Sequence, residues 1–178
     1  MSDPLIFHTQ TSTEYWQRRG SLVHTDTKGN DLAPPDNVRI HHWASAQHVG
    51  NPLQERPTRG ICQNPENVLQ TSMIFRALLD ALDNWVSRAI TPPDNQIPTN
   101  SKGTLVDFKY WKSQFPKIPN LVTPQEANKL FIYDYGPKAD LGIFDTLPPR
   151  KIQKCNYVIK VPSVDDDGNE IALSLIHI

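Results

Sequence analysis

Between Val68 and Ile90 apolar side chains return every three or four positions. Val68, Ser72, Phe75, Leu78, Leu79, Leu82, Trp85, Val86 and Ile90 share one line, while Arg76, Asp80, Asp83, Asn84 and Arg88 occupy the other side. That period predicts an amphipathic helix with its stripe packed in the core, against a sheet face. Asn64-Pro65 supplies N-cap and first-turn chemistry for its start, and Pro92-Pro93 stops it. Two earlier stretches have strand character. Pro4 to Thr9 reads as a buried strand, and Val38, Ile40 and Trp43 give a second one its β-branched and aromatic content. Between them Ser12-Thr13-Glu14 carries cap chemistry for a short helix from about Glu14 to Leu22, with Trp16 packing beneath it. Asp26 to Asn37 is turn-forming. Strand, short helix, loop and strand is the order of a parallel α/β sheet.

Beyond Pro93 the periodicity fades. A polar linker runs to Lys102, aromatic clusters follow at Phe108 to Trp111 and at Phe131 to Tyr133, and short strands are expected around Leu130 to Asp134 and Tyr157 to Val161. Val164 to Glu170 reads as a hairpin turn, since Asp-Gly and Asn tolerate positive φ. The chain has 16 prolines, most of them after Ile90, so long helices cannot persist there. The expected organisation is therefore a sheet-and-helix part over residues 1–91 and a proline-rich extension with a hairpin over 92–172. Leu173 to Ile178 match the translation of a sequencing-library adapter and are expected to be foreign.

Charge narrows the partners. Eighteen Lys and Arg against 19 Asp and Glu leave a net charge of -1, so no broad field favours nucleic acid or an anionic membrane. No apolar run reaches the roughly 20 residues of a bilayer span, and the first 20 positions lack a basic start with an apolar core. Cys62 and Cys155 are too few for a disulfide framework. The Asp165 to Asp167 run lacks the alternating acids and closing glutamate of a calcium loop, and no two of His8, His24, His41 and His42 have zinc-protease helical spacing. Neither metal nor cofactor is expected.

The chemistry gathers at two strand ends. Glu14 follows the first strand and His48 the second, so a parallel pairing sets an acid beside a base. These are two members of a system in which a carboxylate fixes the tautomer of a histidine that deprotonates a nucleophile. Asp26 is the rival carboxylate. His41 and His42 fall on opposite faces of their strand, so at most one shares a centre with His48. Ser12, Ser21 and Ser45 read as cap or turn residues, because none sits on a strand-to-helix elbow.

The chain resembles the bacterial proteins called alpha/beta hydrolase domain-containing, a branch of the α/β-hydrolase superfamily similar to serine esterases. The matching text is Ser12 to Trp16, Ser21 to Asp26, Val38 to His41 through Gln47-His48, Phe75 to Leu79, Gly103 to Val106 and Val164 to Glu170. The resemblance implies the last two strands and final helix of an α/β-hydrolase sheet, with Glu14 as triad acid and His48 as base. Two features depart from the pattern: Gly-x-Ser-x-Gly is absent, and Ser45-Ala46 stands where the family has glycine-threonine before the Gln-His pair. The implied whole is a carboxylic ester hydrolase of which this is the C-terminal part. Its nucleophile and the first part of its fold would lie upstream, its substrate would be a small ester, and the isolated chain would be inactive. The competing expectation is a binding module that docks a partner through Phe108, Tyr110 and Trp111.

Overall fold

The structure is a computed structural model that describes residues 3–49 and 53–171; the adapter-like segment Leu173 to Ile178 lies outside the described residues. Strand β1 (Ile6–Thr11) pairs in parallel with β2 (Val38–Trp43), in register from Ile6 opposite Val38 to Thr11 opposite Trp43. The parallel α/β arrangement expected from the element order is thus present. β1 is not buried along its length: Ile6 is 41% exposed, whereas Gln10 and Thr11 at its far end are buried.

Thr11 ends β1 and caps helix α1 (Ser12–Arg18). Capping begins one residue earlier than the sequence suggested, because the Glu14 side chain turns back on the Thr11 amide at 2.6 Å and leaves Ser12 inside the helix. Arg19 in the left-handed conformation closes the helix, and a 3-10 turn follows over Gly20–Val23. Gly20 packs closely here: a Cβ would stand 2.1 Å from Gln10 Oε1, and the Gln10 side chain would have to move to admit it. The next loop is tied by Asp26, whose carboxylate accepts the amides of Lys28 and Asn30 at 2.8 and 2.9 Å.

The long helix, α2 (Ser72–Arg88), starts later than Asn64-Pro65. Asn64 spends its side chain on Val122 instead, donating to its carbonyl at 2.8 Å and accepting its amide at 2.9 Å. Contrary to the expected core packing, no residue of α2 is buried. The helix touches the sheet along one edge, where Phe75 meets Trp43 edge-on at 4.4 Å and Trp85 stands 5.8 Å from Phe7. Leu78 and Leu82 of its apolar stripe are half-buried, while Leu79 and Val86 face outward, each more than 60% exposed.

Residues after Pro93 wrap the other side of the pair. Gln96 runs along the outer edge of β2, giving its amide to Ile40 at 3.0 Å and accepting that of His42 at 2.8 Å. Strand β3 (Leu105–Asp107) leads into helix α3 (Phe108–Gln114). Strands β4 (Phe131–Asp134) and β5 (Arg150–Asn156) pair antiparallel, and β6 (Lys160–Pro162) pairs antiparallel with β3. Val164 and Glu170 close the expected turn as an antiparallel bridge, with Gly168 at φ 87°. Trp16 does not pack beneath α1. It points at α3, 4.6 Å from the Trp111 ring and 6.2 Å from Phe108.

Candidate functional site

α1 and the turn after β2 are held face to face by consecutive residues of the first helical turn. Ser12 Oγ accepts the Ser45 amide at 2.7 Å, Thr13 Oγ1 accepts the His48 amide at 3.2 Å, and Glu14 Oε1 accepts the His48 ring at Nδ1. The carboxylate divides its work. Oε1 takes the imidazole, while Oε2 takes the Thr11 amide and hydroxyl. Glu14 is therefore both a helix cap and an imidazole partner. Partial burial pushes its carboxyl upward, but the hydroxyl and amide of Thr11 and the ring of His48 outweigh this, and the net direction is down.

An ionised carboxylate is acceptor-only, so the His48 proton sits on Nδ1 and the lone pair of the neutral ring is left on Nε2. That is the tautomer of a general base. The imidazole is 70% exposed and the Glu14 side chain 18%, so the pair stands at an open surface. Two hollows lie elsewhere: one of about 160 Å³ is lined by Tyr110, Trp111 and Ser163 among others, and one of about 440 Å³ by Trp16, Gln17 and Pro124, and neither lining includes Glu14 or His48.

The rival acid is differently engaged. Asp26 closes its own loop through Lys28 and Asn30, and these bonds hold its carboxyl below the ordinary range. The serines divide similarly. Ser21 is fully buried, and Ser12 lies between Glu170 and the Ser45 amide. Ser45 has the left-handed φ of 58°, but irregular and bend residues follow it rather than a helix.

A buried polar cluster, which sequence reasoning missed, lies behind the pair. Glu170 accepts from Ser12 Oγ at 2.6 Å, Trp16 Nε1 at 3.1 Å and His42 Nε2 at 3.1 Å. The Tyr15 ring packs edge-on against His42 at 4.5 Å, and its hydroxyl meets His24 Nε2 at 2.6 Å. Burial pushes the Glu170 carboxyl up, yet His42, Ser12 and Trp16 together bring it below its ordinary value. Burial and the Glu170 charge push Tyr15 well up. Glu170 lies 128 positions from His42, at the end of a stretch that reads only as a turn, and carries no local signal of this role.

The aromatic residues of the extension are divided: Trp111 is buried, whereas Tyr110, Phe131, Tyr133 and Phe144 are exposed. Trp111 is buried among Trp16, Phe108 and Phe115, and Tyr110 is the exposed member of the set. Among the described residues no group of three or more His, Cys, Asp or Glu is arranged to hold a metal ion, and no helix is long and apolar enough to cross a membrane.

No curated protein and no solved structure matches the chain. A family model described as alpha/beta hydrolase domain matches residues 2–171, nearly the whole sequence and all the elements above. The chain thus belongs to the alpha/beta hydrolase domain family.

Proposed function

We propose that the chain is the C-terminal part of a serine carboxylic ester hydrolase and supplies its general base, His48, and its orienting acid, Glu14. The observation that carries the reading is the bond from the His48 ring to Glu14, made between two parallel strand ends in a member of a hydrolase family. Family membership alone gives no activity, because function resides in the site.

In this reading a serine upstream of residue 1 attacks the carbonyl carbon of an ester. His48 Nε2 takes the hydroxyl proton as the C–O bond forms, then delivers it to the leaving alcohol as the tetrahedral intermediate collapses. Water repeats the sequence on the acyl-enzyme and releases the acid. Glu14 holds the ring and stabilises the imidazolium without taking its proton. Donors for the oxyanion belong to the upstream part.

Three features support incompleteness. Gly-x-Ser-x-Gly is missing from the sequence, the α2 stripe is largely exposed, and among the described residues the parallel sheet has two strands although such sheets are ordinarily larger and covered on both faces. The upstream strands would pair with β1 and the upstream core would cover α2. The test is ester hydrolysis by the full-length product of the gene, wild type against His48→Ala. Hydrolysis that survives the substitution removes His48 from the mechanism.

A further inference from the structure

We infer that Glu170 is a positioning residue for this acid–base pair, acting through Ser12 on the turn that carries His48. The inference rests on the reading of Glu14 and His48 given above, and adds a residue from the opposite end of the chain.

The argument follows one proton. Ser12 has a single hydroxyl hydrogen, and it goes to Glu170 Oε2 at 2.6 Å. With that direction fixed, the lone pairs of Ser12 Oγ are turned to the Ser45 amide, 2.7 Å away. A hydroxyl that donates to a carboxylate is also the stronger acceptor, because successive hydrogen bonds polarise one another. Ser45 is the strained point of the turn, with a left-handed φ of 58° that a non-glycine residue adopts only when its surroundings hold it there. Three positions later His48 hangs by its amide from Thr13 and by its ring from Glu14. Ser12, Thr13 and Glu14 are thus three rungs between the helix and the turn, and Glu170 orients the first.

Glu170 is suited to this. It is 8% exposed, and its two oxygens receive three donors from two elements, Ser12 and Trp16 on α1 and His42 on β2. One buried carboxylate therefore locks α1 to the strand that leads into the His48 turn, and ties both to the hairpin closed by Val164 and Glu170. Its hydrogen bonds come from Ser12, Trp16 and His42 and not from Glu14 or His48, so it acts on the pair through Ser12.

Nuclear magnetic resonance on the ¹⁵N-labelled full-length gene product tests this with two readouts: the ring tautomer of His48 and the exchange rate of the Ser45 amide. In the unaltered chain His48 carries its proton on Nδ1. Ser12→Ala and Glu170→Gln each speed exchange of the Ser45 amide roughly tenfold, as expected for loss of one hydrogen bond, and lower the population of the Nδ1–H tautomer. Ser12→Thr, which keeps a hydroxyl, restores both. Glu14→Ala abolishes the tautomer preference and leaves Ser45 protected. Unchanged Ser45 exchange and an unchanged tautomer in Ser12→Ala, or in a folded Glu170→Gln chain, overturn the proposal. A His48 tautomer that does not depend on Glu14 overturns the acid–base reading instead, with the Ser45 amide still reporting on the relay. If Glu170→Gln does not fold, the Ser12 hydroxyl proton of the unaltered chain decides: seen as a slowly exchanging resonance it supports the relay, and lost to rapid exchange it refutes it.

Discussion

The His48 ring donates through Nδ1 to the Glu14 carboxylate across 34 positions of sequence, bringing the ends of two parallel strands into one acid–base pair. Removing the acid leaves a base with the wrong tautomer available and no counter-charge for its imidazolium. On the proposed reading, Glu14→Ala in the full-length gene product is expected to lower kcat of ester hydrolysis on the order of 10⁴-fold and His48→Ala about 10⁶-fold, with smaller changes in KM. Steady-state kinetics on a p-nitrophenyl ester checks both, and a loss under tenfold for Glu14→Ala shifts the acid role elsewhere.

The 178 residues by themselves are expected to be inert, since a general base without its nucleophile contributes little. Ester cleavage by the purified chain should equal that of its His48→Ala form. A clear excess over that control means a nucleophile lies within the chain.

Buried His24 gives stability a dependence on mild acid. Desolvation lowers its pKa from the ordinary 6.5 to about 4, partly opposed by the Asp31 charge. The unfolded chain therefore takes up this proton near pH 6.5, while the folded chain resists until about pH 4. Stability is full above pH 6.5 and declines between 6.5 and 4, by a few kcal/mol at most. His41, also lowered by burial and by Arg39, adds in the same direction. Glu14 and Glu170, whose carboxyls lie below their ordinary 4.5, withdraw their contributions only at lower pH. Urea denaturation at pH 7, 5.5 and 4.5 should show the decline, and His24→Gln should reduce its slope. An unaltered slope assigns the effect to other groups.

The two sides of α2 should respond differently. Phe75→Ala removes an edge-on contact with Trp43 and is expected to cost about 1 kcal/mol. Leu79→Glu, on the exposed side, should stay within about 0.5 kcal/mol in this chain. In the full-length protein the same Leu79→Glu should sharply lower soluble yield, because a charge would enter the proposed core. Equal tolerance in both contexts argues that nothing covers α2.

Much of this was legible wherever the physics is local. Val38, Ile40 and Trp43 announce their strand, and the α2 period is unmistakable, because alternation and a 3.6-residue repeat are written in neighbouring residues. The proximity of Glu14 and His48 was legible because a parallel strand pair brings equivalent ends together. What failed were long-range competitions. Asn64 looks like a cap but is taken by Val122, 58 positions away, and Trp16 is drawn from its own helix to the rings of α3. Phe108 to Gln114 form a helix that the aromatic cluster alone did not announce, and β5, with Arg150, Lys151 and Lys154, has too little apolar alternation to read as a strand. Glu170 was invisible because nothing near it in sequence needs a carboxylate.

The most direct measurement is active-site labelling of the full-length gene product with a fluorophosphonate, followed by mapping of the modified residue. The account predicts a single labelled serine upstream of residue 1, with labelling strongly reduced by His48→Ala and by Glu14→Ala. Label on a serine within the 178 residues, no label at all, or labelling indifferent to His48→Ala would contradict it.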